Sequence, residues 1–340
     1  MNIEKIIIIG LGSIGSKHLD ILRILLPKSI IMVMHHNKSK KYPKKSDGFL
    51  ENHSDAIAFK PDLVVISNPS SFHLKTAMIF LSLKTNIFIE KPLSNNLQNI
   101  RKFISKFKKN NSFVTIGYNL RFLSSLNKFK KIIDKQLLGE IFNVTTVTGQ
   151  YLPSWRKYKN YTNTVSANKK LGGGVLLELS HEIDYLNWIF GDIQGVYSVN
   201  KKLSKLSLDV EDISILILYF KSKIRNKKFN ALLTLDFLRH AKKRECVVLC
   251  EKGTIRWDGM KGILEIYKQN GKKWINLHND PKDLTKSYIN QWKKIIQNVK
   301  DNKKPTVNIF DGIKVLEVID SSWISSREQK YIQVRRAVDR

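Results

Sequence analysis

Cysteine, long apolar runs and acidic side chains are all scarce in this chain of 340 residues. Its two cysteines, Cys246 and Cys250, are too few for a fold held together by disulfides, and their place in the apolar run CVVLC favours a packing role. No apolar stretch approaches the roughly 18 residues that a membrane span requires, and glycines rather than a cleavage site follow the first such stretch. We therefore predict a cytoplasmic protein without a membrane partner.

Acidic residues number 29 against 59 lysines and arginines, so the formal net charge is +30. A surplus of this size attracts phosphates, including those of nucleic acids. However, the lysines are scattered through every segment, they greatly outnumber the arginines, and no helix-turn-helix, zinc-finger or RNP-type pattern is present. We therefore expect no nucleic-acid partner, and nucleic-acid binding stays a minor alternative.

The hydrophobic pattern divides the chain near residue 120. Before this point, five short apolar runs alternate with helical patterns, which predicts a parallel sheet built from βαβ units. These runs are residues 5–9, 30–34, 63–67, 86–90 and 113–117. After this point, long alternating segments predict a mostly antiparallel sheet with one covered face, followed by two helices. The predicted strands are 141–151, 213–220, 231–238, 245–249 and 254–258, and the helices lie around 288–299 and 311–325.

A glycine-rich segment, GLGSIG at 10–15, directly follows the first predicted strand and precedes a helical pattern. In a dinucleotide site the first glycine forms a tight turn, the second lets the backbone approach a pyrophosphate, and the third lets helix and strand pack closely. The anion then meets backbone N–H groups at the helix N-terminus. The loop residues predicted to bind a cofactor are Gly10, Gly12, Ser13, Ile14 and Gly15.

The acidic residue that would bind the ribose hydroxyls of NAD, about 20 positions beyond the loop, is missing. The second strand is followed instead by His35 and His36 and then by a basic run at 38–45. One hypothesis is that His35, His36 or Lys38 faces the 2′-phosphate of NADP(H), and the alternative is a solvated lysine loop. The predicted cofactor is NAD or NADP, with NADP slightly favoured. His18, in the helix behind the glycine loop, is expected on the helix surface.

Two further segments carry side chains suited to acid–base chemistry. In the first, Glu90-Lys91-Pro92 ends the fourth strand and presents Lys91 at the carboxyl end of the parallel sheet, where such folds bind ligands. In the second, residues 171–192, an apolar stripe predicts one helix with His181 on the opposite side. The same side carries Glu178, Asp184, Tyr185 and Trp188. Solvated surfaces rarely carry such aromatics, so this side is predicted to line a cleft or to contact another subunit.

The glycine triplet at 172–174, ahead of this helix, would let a ligand or cofactor approach the backbone. For His181 alone, a surface role would be the default interpretation. With Glu178 and Asp184 available to orient its ring, an acid/base role becomes credible.

Taken together, these motifs resemble the Gfo/Idh/MocA family of oxidoreductases. Besides the glycine loop, the matching segments are SNPSSFHLKTA at 67–77, EKPLS at 90–94, GYNLRF at 117–122 and GGGVLLELSHEID at 172–184, in that family's order and spacing. YLPSWRKY at 151–158 and the late helix look like sugar-modifying members of surface-polysaccharide pathways. The resemblance implies an α/β protein with an N-terminal Rossmann dinucleotide-binding domain, 1–120. It also implies a C-terminal α+β domain, 121–340, with a large open, mostly antiparallel sheet for substrate binding and oligomerisation.

The resemblance also implies roles for individual residues. Lys91 matches the catalytic lysine and His181 the acid/base histidine. Further cofactor contacts are implied for Ser67, Asn68, Pro69, His73, Glu90 and Lys91. The substrate is expected near Asn119, Arg121, Tyr151, Trp155, Arg156, Tyr158, Glu178 and Asp184. Many members carry an aspartate four residues before the histidine, where this chain has Leu177, so Glu178 is the nearest replacement and its role stays open.

The predicted function is NAD(P)-dependent hydride transfer between a nicotinamide cofactor and the carbinol or ketone of a sugar or nucleotide sugar. His181 is expected to take the hydroxyl proton while Lys91 hydrogen-bonds the same oxygen, and Arg156 is a candidate partner for an anionic substrate group. No metal is predicted. The family and the open sheet favour a homodimer or homotetramer, with the last helix, about 311–325, a candidate to pack back on the first domain. The alternative function is a dinucleotide-binding regulatory protein without turnover.

Overall fold

The structure, a computed structural model, describes residues 2–34, 43–83, 85–110, 112–155, 160–221 and 228–337. The chain folds into two compact units. The first contains the described residues up to Tyr118 together with Tyr288–Leu316, and the second contains Asn119–Ser287 together with Glu317–Arg336. Within the described ranges, no helix is both long enough and apolar enough to cross a membrane.

The first unit contains a parallel sheet. Its strands are β1 (Lys5–Ile9), β2 (Ile30–Met34), β3 (Gly48–Phe49), β4 (Leu63–Ile66), β5 (Asn86–Ile89) and β6 (Val114–Ile116), and its helices include α1 (Ser13–Leu25), α2 (His53–Ala58), α3 (His73–Phe80) and α4 (Ile100–Asn110). The strand order is β3-β2-β1-β4-β5-β6, and β1, β4 and β5 are almost wholly buried. The order reverses between β1 and β4, and folds of this type bind ligands beside the carboxyl ends of the strands at such a point.

The second unit contains a larger sheet. Its strands are β7 (Ile141–Gly149), β8 (Ile193–Lys201), β9 (Ile213–Lys221), β10 (Lys228–Asp236), β11 (Lys243–Cys250), β12 (Gly253–Asp258), β13 (Ile263–Lys268), β14 (Ile275–Asn279) and β15 (Ile332–Gln333). They pair in the order β14-β13-β12-β11-β7-β10-β9-β8-β15, antiparallel except for the parallel pair β7 and β10. Buried and exposed side chains alternate along β9 and β10, so one face is covered. Among the described residues, the remaining α-helices are α5 (Ser124–Asp134), α6 (Val175–Glu178), α7 (His181–Phe190), α8 (Asp283–Lys300) and α9 (Ile309–Glu328).

The predicted fold class is confirmed, and the ten predicted strands all form, with ends that shift by up to three residues. Five strands were not predicted: β3, β8, β13, β14 and β15. Two of them, β3 and β15, contain only two residues each, which is too short for a recognisable pattern. In β8, Gly195 and the polar residues around it interrupt the alternation of apolar side chains.

The core of the first unit combines residues from both ends of the chain. Leu19 and Leu22 of α1 pack in one cluster with Ile8 of β1 and with Trp292 and Ile295 of α8. Trp292, Ile295, Ile296 and Val299 therefore form the inward face of α8. Residues 309–316 of α9 also belong to the first unit, whereas the rest of α9 belongs to the second.

Both cysteines lie in β11 with buried side chains. Burial raises the pKa of the Cys246 thiol well above its ordinary value and that of Cys250 to about 12. Because the thiolate is the reactive form, neither residue is suited to nucleophilic or redox chemistry, as expected for packing residues.

The glycine loop joins β1 to α1 through a close approach of backbone to backbone. Gly10 has a φ of +94°, and a Cβ there would lie 2.5 Å from the backbone nitrogen of Asn68. A Cβ at Gly15 would overlap the Gly10 carbonyl oxygen and lie 2.7 Å from Ser67 Oγ. In contrast, a Cβ at Gly12 would meet nothing within 4 Å. The first and third glycines are therefore required for packing, and the second faces open space.

This difference predicts opposite outcomes for two alanine variants. Gly15→Ala should lower the free energy of unfolding by about 1–3 kcal/mol or more, because an added methyl group must displace backbone in a packed region. Gly12→Ala is the matched control and should change it by less than about 1 kcal/mol. Urea denaturation of both variants measures this. Equal stability of the two would contradict the packing role of Gly15.

Candidate active site

The glycine loop and the turn that directly follows β4 form a cradle suited to a dinucleotide. Gly12 precedes α1 and provides no side chain to occupy the helix N-terminus, and the first turn, which includes Ser13 and Ile14, contains no acidic residue. The N-terminal N–H groups of such a helix attract a pyrophosphate. The open space beside Gly12 therefore fits the close approach of a cofactor phosphate.

The segment after β4 lines the same loop. Ser67 donates from Oγ to the Gly10 carbonyl oxygen over 2.7 Å. Asn68 donates from Nδ2 to Thr76, and its Oδ1 is buried with no hydrogen-bond partner among the described residues. An acceptor left in this way can receive a hydrogen bond from a bound ligand. Pro69 precedes a short 3₁₀ turn that leads into α3.

His73, at the start of α3, is buried and connects two backbone segments. Its Nδ1 lies 2.8 Å from the Pro92 carbonyl oxygen and its Nε2 lies 2.8 Å from the Asn68 carbonyl oxygen. Burial lowers the pKa of His73 below its ordinary value, so the ring carries a single N–H that serves one of the two carbonyls. The contact fixes the backbone directly after Lys91, where the Lys91–Pro92 peptide bond is cis.

Glu90 fixes the backbone on the other side of Lys91. Its Oε2 accepts a hydrogen bond from the Lys91 backbone N–H over 3.0 Å, and its Oε1 lies 2.7 Å from His18 Nε2. Trp292 donates from Nε1 to His18 Nδ1 over 2.9 Å. The expected surface position of His18 is therefore wrong, because the ring is completely buried. Its two partners are remote in sequence, and no local pattern could have revealed them.

Four predicted site residues lie outside the described residues. His35 and His36 were predicted to contact the cofactor, and Arg156 and Tyr158 were predicted to lie near the substrate. Lys38, the alternative partner for a 2′-phosphate, also lies there. The preference for NADP and the recognition of an anionic group therefore stay predictions.

The prediction of a single helix after the glycine triplet, within residues 171–192, is wrong, because the helix is divided into α6 and α7. Leu179 and Ser180 separate the two helices, and His181 is the first residue of α7 and is buried, with only 9% of its surface exposed. The apolar stripe is buried as predicted, at Leu176, Leu179, Ile183, Leu186 and Phe190. The opposite side is also largely buried within the second unit, so the predicted cleft or subunit contact is wrong for Asp184 and Tyr185.

Two predicted substrate residues bind one another. Arg121 donates from Nε and Nη2 to the two carboxylate oxygens of Asp184 over 2.9 and 2.7 Å, and both side chains are buried. The Arg121 guanidinium also lies 5.8 Å from the ring centroid of Trp188, which is half-buried. Asn119 donates from Nδ2 to Ser287 Oγ over 2.7 Å. The contacts of Arg121 hold α7 at Asp184 and Trp188. Glu178, at the end of α6, is half-buried.

A second buried ion pair under α7 was missed. Glu182 is completely buried, and Arg244 of β11 donates from Nε to its Oε1 over 2.9 Å. Burial raises the pKa of Glu182, and the Arg244 charge opposes this shift. Tyr185 shares a hydrogen bond of 2.7 Å with Thr146, and its ring packs on Trp257. The only sequence signal was an acidic residue beside His181, since Arg244 lies 62 positions away.

Two glycines of the triplet, Gly173 and Gly174, lie against other residues of the second unit. A Cβ at Gly173 would overlap the Val165 carbonyl oxygen, and one at Gly174 would lie 2.6 Å from Glu211 Oε1. Gly174 also has a φ of +107°. The expectation that a ligand approaches the backbone is therefore wrong for Gly173 and Gly174, because other residues of the second unit fill the space where a side chain would lie.

The two described aromatic residues of the 151–158 segment pack on neighbouring side chains. Tyr151 stacks on the exposed ring of His240 at 4.3 Å between centroids. Trp155 donates from Nε1 to the Gln150 carbonyl oxygen and packs edge-on against Phe237. His240 was not predicted as a site residue. Across the part of the chain that the structure describes, no three His, Cys, Asp or Glu side chains form a group able to hold a metal.

The comparisons with known proteins agree with this arrangement. The family model described as "Oxidoreductase family, NAD-binding Rossmann fold" matches residues 4–118, and the model described as "Oxidoreductase family, C-terminal alpha/beta domain" matches residues 130–334. The chain is 22% identical over 351 residues to the Myo-inositol 2-dehydrogenase of Thermotoga maritima, covering 98% of this chain and 99% of that protein. It is 24% identical over 237 residues to the Glucose-6-phosphate 3-dehydrogenase of Bacillus subtilis, covering 68% and 67%.

A solved structure shares the fold of the whole chain. The WlbA dehydrogenase from Bordetella pertussis, in complex with NADH and UDP-GlcNAcA, superposes with a TM-score of 0.81 at 17% identity, over 98% of this chain and 99% of that one. At this identity the likeness concerns the fold alone. The two family models, however, match both halves of the sequence. The chain therefore belongs to the Gfo/Idh/MocA family of oxidoreductases, with an NAD-binding Rossmann domain followed by the family's C-terminal α/β domain.

Proposed function

We propose that this protein is an NAD(P)-dependent dehydrogenase or reductase that transfers hydride between a nicotinamide cofactor and the carbinol or ketone of a sugar or nucleotide sugar. The observation that carries the proposal is the fixed backbone of Glu90-Lys91-Pro92, which we call the Lys91 corner. His18, through Glu90, and His73, through Pro92, fix the backbone on both sides of Lys91 in the unit that also contains the glycine loop. A lysine whose backbone is held in this way extends its side chain from a fixed point, from which it can donate a hydrogen bond to a reacting oxygen.

Hydride chemistry would be supplied by a nicotinamide bound along the cradle. The residues of this chain supply the remaining functions. His181 accepts the proton of the carbinol hydroxyl, and Lys91 donates a hydrogen bond to the same oxygen as its negative charge develops. In the reductive direction the same two residues return the proton and polarise the carbonyl. The Arg121–Asp184 and Arg244–Glu182 pairs hold α7 in place. The backbone of His181, at the start of this helix, is therefore fixed.

Several observations favour a sugar or nucleotide sugar as the substrate. The relatives described above are named as dehydrogenases of a polyol and of a sugar phosphate, and the WlbA structure contains a nucleotide sugar. In this chain Tyr151, with its neighbour His240, provides a partly exposed aromatic surface of the kind that packs on sugar rings. We assign Arg156 to an anionic group of the substrate, such as a phosphate or carboxylate. If the substrate is a nucleotide sugar, as in the WlbA structure, we further propose a role in surface-polysaccharide or modified-sugar biosynthesis.

A screen of free sugars, sugar phosphates and nucleotide sugars with NADP and NAD tests the function. At least one sugar should change the absorbance at the reduced-nicotinamide band, with a higher kcat/KM for NADP, because no acidic side chain follows β2 to exclude the 2′-phosphate. Lys38→Ala should weaken binding of NADPH and leave that of NADH unchanged. Tight cofactor binding without turnover of any sugar would favour the regulatory alternative, and clearly tighter binding of NADH would refute the NADP preference.

His181→Asn tests the acid/base assignment. The variant should lower kcat by roughly 100-fold or more, because general-base catalysis contributes about 10²–10⁴. The dissociation constant of the reduced cofactor should not change. His53→Asn, in α2, is the matched control and should retain the kcat of the unmodified protein. Unchanged turnover of the His181 variant would remove the assignment.

We further propose that the open face of the large sheet is the contact between copies of this chain. The neighbouring strands β8, β9 and β10 present exposed apolar side chains on this face, namely Val199, Ile215, Ile217 and Leu232. Strand β11, which β7 separates from β10, adds Leu249, and each of the five is at least 37% exposed. A contiguous apolar face of this kind is typical of a protein interface. A second copy can cover it with the same residues, as a two-fold contact requires.

Substitution on this face should dissociate the assembly. Light scattering after size-exclusion chromatography should give the mass of a dimer or tetramer for the unmodified protein and of a smaller species for Ile217→Asp, since a charge would be buried in the contact. Ile24→Asp places the same charge on an isolated exposed isoleucine of α1 and serves as the control. A monomer at micromolar concentration would contradict the proposed contact.

A further inference from the structure

A buried network of hydrogen bonds ends at Lys91, and the donor and the acceptor of each bond in it can be assigned. Trp292 Nε1 contacts His18 Nδ1, His18 Nε2 contacts Glu90 Oε1, and Glu90 Oε2 accepts from the Lys91 backbone N–H, over 2.9, 2.7 and 3.0 Å. An indole nitrogen can only donate, so His18 Nδ1 must be an acceptor without a proton. The one proton of the neutral ring therefore lies on Nε2, where it is donated to Glu90. Trp292 thus sets the tautomer that His18 needs for this contact.

The side chains around this hydrogen-bond network leave its residues little freedom to move. The His18 ring packs edge-on against Phe88 at 5.0 Å and against Trp292 at 5.5 Å between centroids, and Phe88 and Trp292 are themselves 4.7 Å apart. Beside the carboxylate, a Cβ at Gly117 would lie 3.0 Å from Glu90 Oε1 and from Phe88 Cζ. Gly117 therefore leaves just enough space for the Glu90 side chain in its observed position.

We propose that His18 and Trp292 are positioning residues for Lys91. Trp292 selects the His18 tautomer, His18 orients the Glu90 carboxylate, and the carboxylate fixes the Lys91 backbone through its N–H. The network connects the helix behind the glycine loop to the strand end that presents the lysine. It thereby sets the distance between the cofactor cradle and the Lys91 side chain. Its catalytic consequence rests on the proposed function, whereas its effect on the Lys91 backbone does not.

The size of the expected effect follows from the demands of hydride transfer. A displacement of about 1 Å at a group that acts on the reacting oxygen can cost roughly 100-fold in rate. Without the His18 contact, the Glu90 carboxylate can rotate away from the Lys91 N–H, and the corner is then fixed only on its His73 side. We therefore expect loss of His18 to act on kcat and not on the KM for the sugar.

Hydrogen exchange at the Lys91 amide tests the network without any turnover. His18→Leu keeps the apolar volume but removes the donor to Glu90, and the Lys91 amide should then exchange about tenfold faster or more, as expected for loss of a hydrogen bond to a charged group. Leu22→Ala, in the same helix and core cluster, controls for general loss of stability and should leave that amide within about threefold of the unmodified protein. Equal exchange in both variants would overturn the proposal.

Steady-state kinetics provide the second measurement. His18→Leu should lower kcat at least about tenfold with the KM for the sugar unchanged, and Trp292→Phe, which retains ring packing, should lower it by less. His18→Gln should recover most of the activity, because its amide can donate to Glu90 and accept from Trp292. Failure of His18→Gln to exceed His18→Leu would overturn the positioning role. Absence of turnover in the unmodified protein would refute the proposed function instead, and the exchange result would still decide the network.

Discussion

The hydrogen bond between His18 and the Glu90 carboxylate ties the helix after the glycine loop to the strand end that presents Lys91. Both elements belong to the first unit, and separate contacts fix the backbone of each. The glycine loop is fixed by backbone packing at Gly10 and Gly15, and the lysine corner by the contacts of Glu90 and His73. The His18 contact joins these two constraints, so that cofactor cradle and lysine form one rigid arrangement.

In the second unit, α7 is held in a different way, by buried charges. Asp184 pairs with Arg121, and Glu182 pairs with Arg244. Burying such groups is costly, and leaving one partner unpaired typically costs about 3–5 kcal/mol. Pairs of this kind therefore fix a geometry more than they add stability. Here they fix the helix that begins at His181, the residue that we propose as the acid/base group.

Patterns local in sequence predicted most of the fold and part of the site. The apolar runs located the parallel sheet, and the glycine loop located the cradle, because both depend on residues close together in the chain. The position of His18 and the pairing of Glu182 could not be predicted, since Trp292 and Arg244 lie 274 and 62 residues away. The division between α6 and α7 was missed because the apolar stripe continues through Leu179. An amphipathic pattern does not show whether the polar face of a helix is exposed to solvent or is buried against partners that are remote in sequence.

The most direct test of the central claim follows the hydride itself. A sugar that the protein oxidises, labelled with deuterium at the reacting carbon, is incubated with the oxidised cofactor, and the reduced cofactor is analysed by mass spectrometry. We expect one deuterium per reduced nicotinamide in the unmodified protein and strongly slowed transfer when Lys91 is replaced by methionine, as the proposed hydride transfer requires. Reduced cofactor without deuterium, or transfer at an unchanged rate in the Lys91→Met variant, would contradict it.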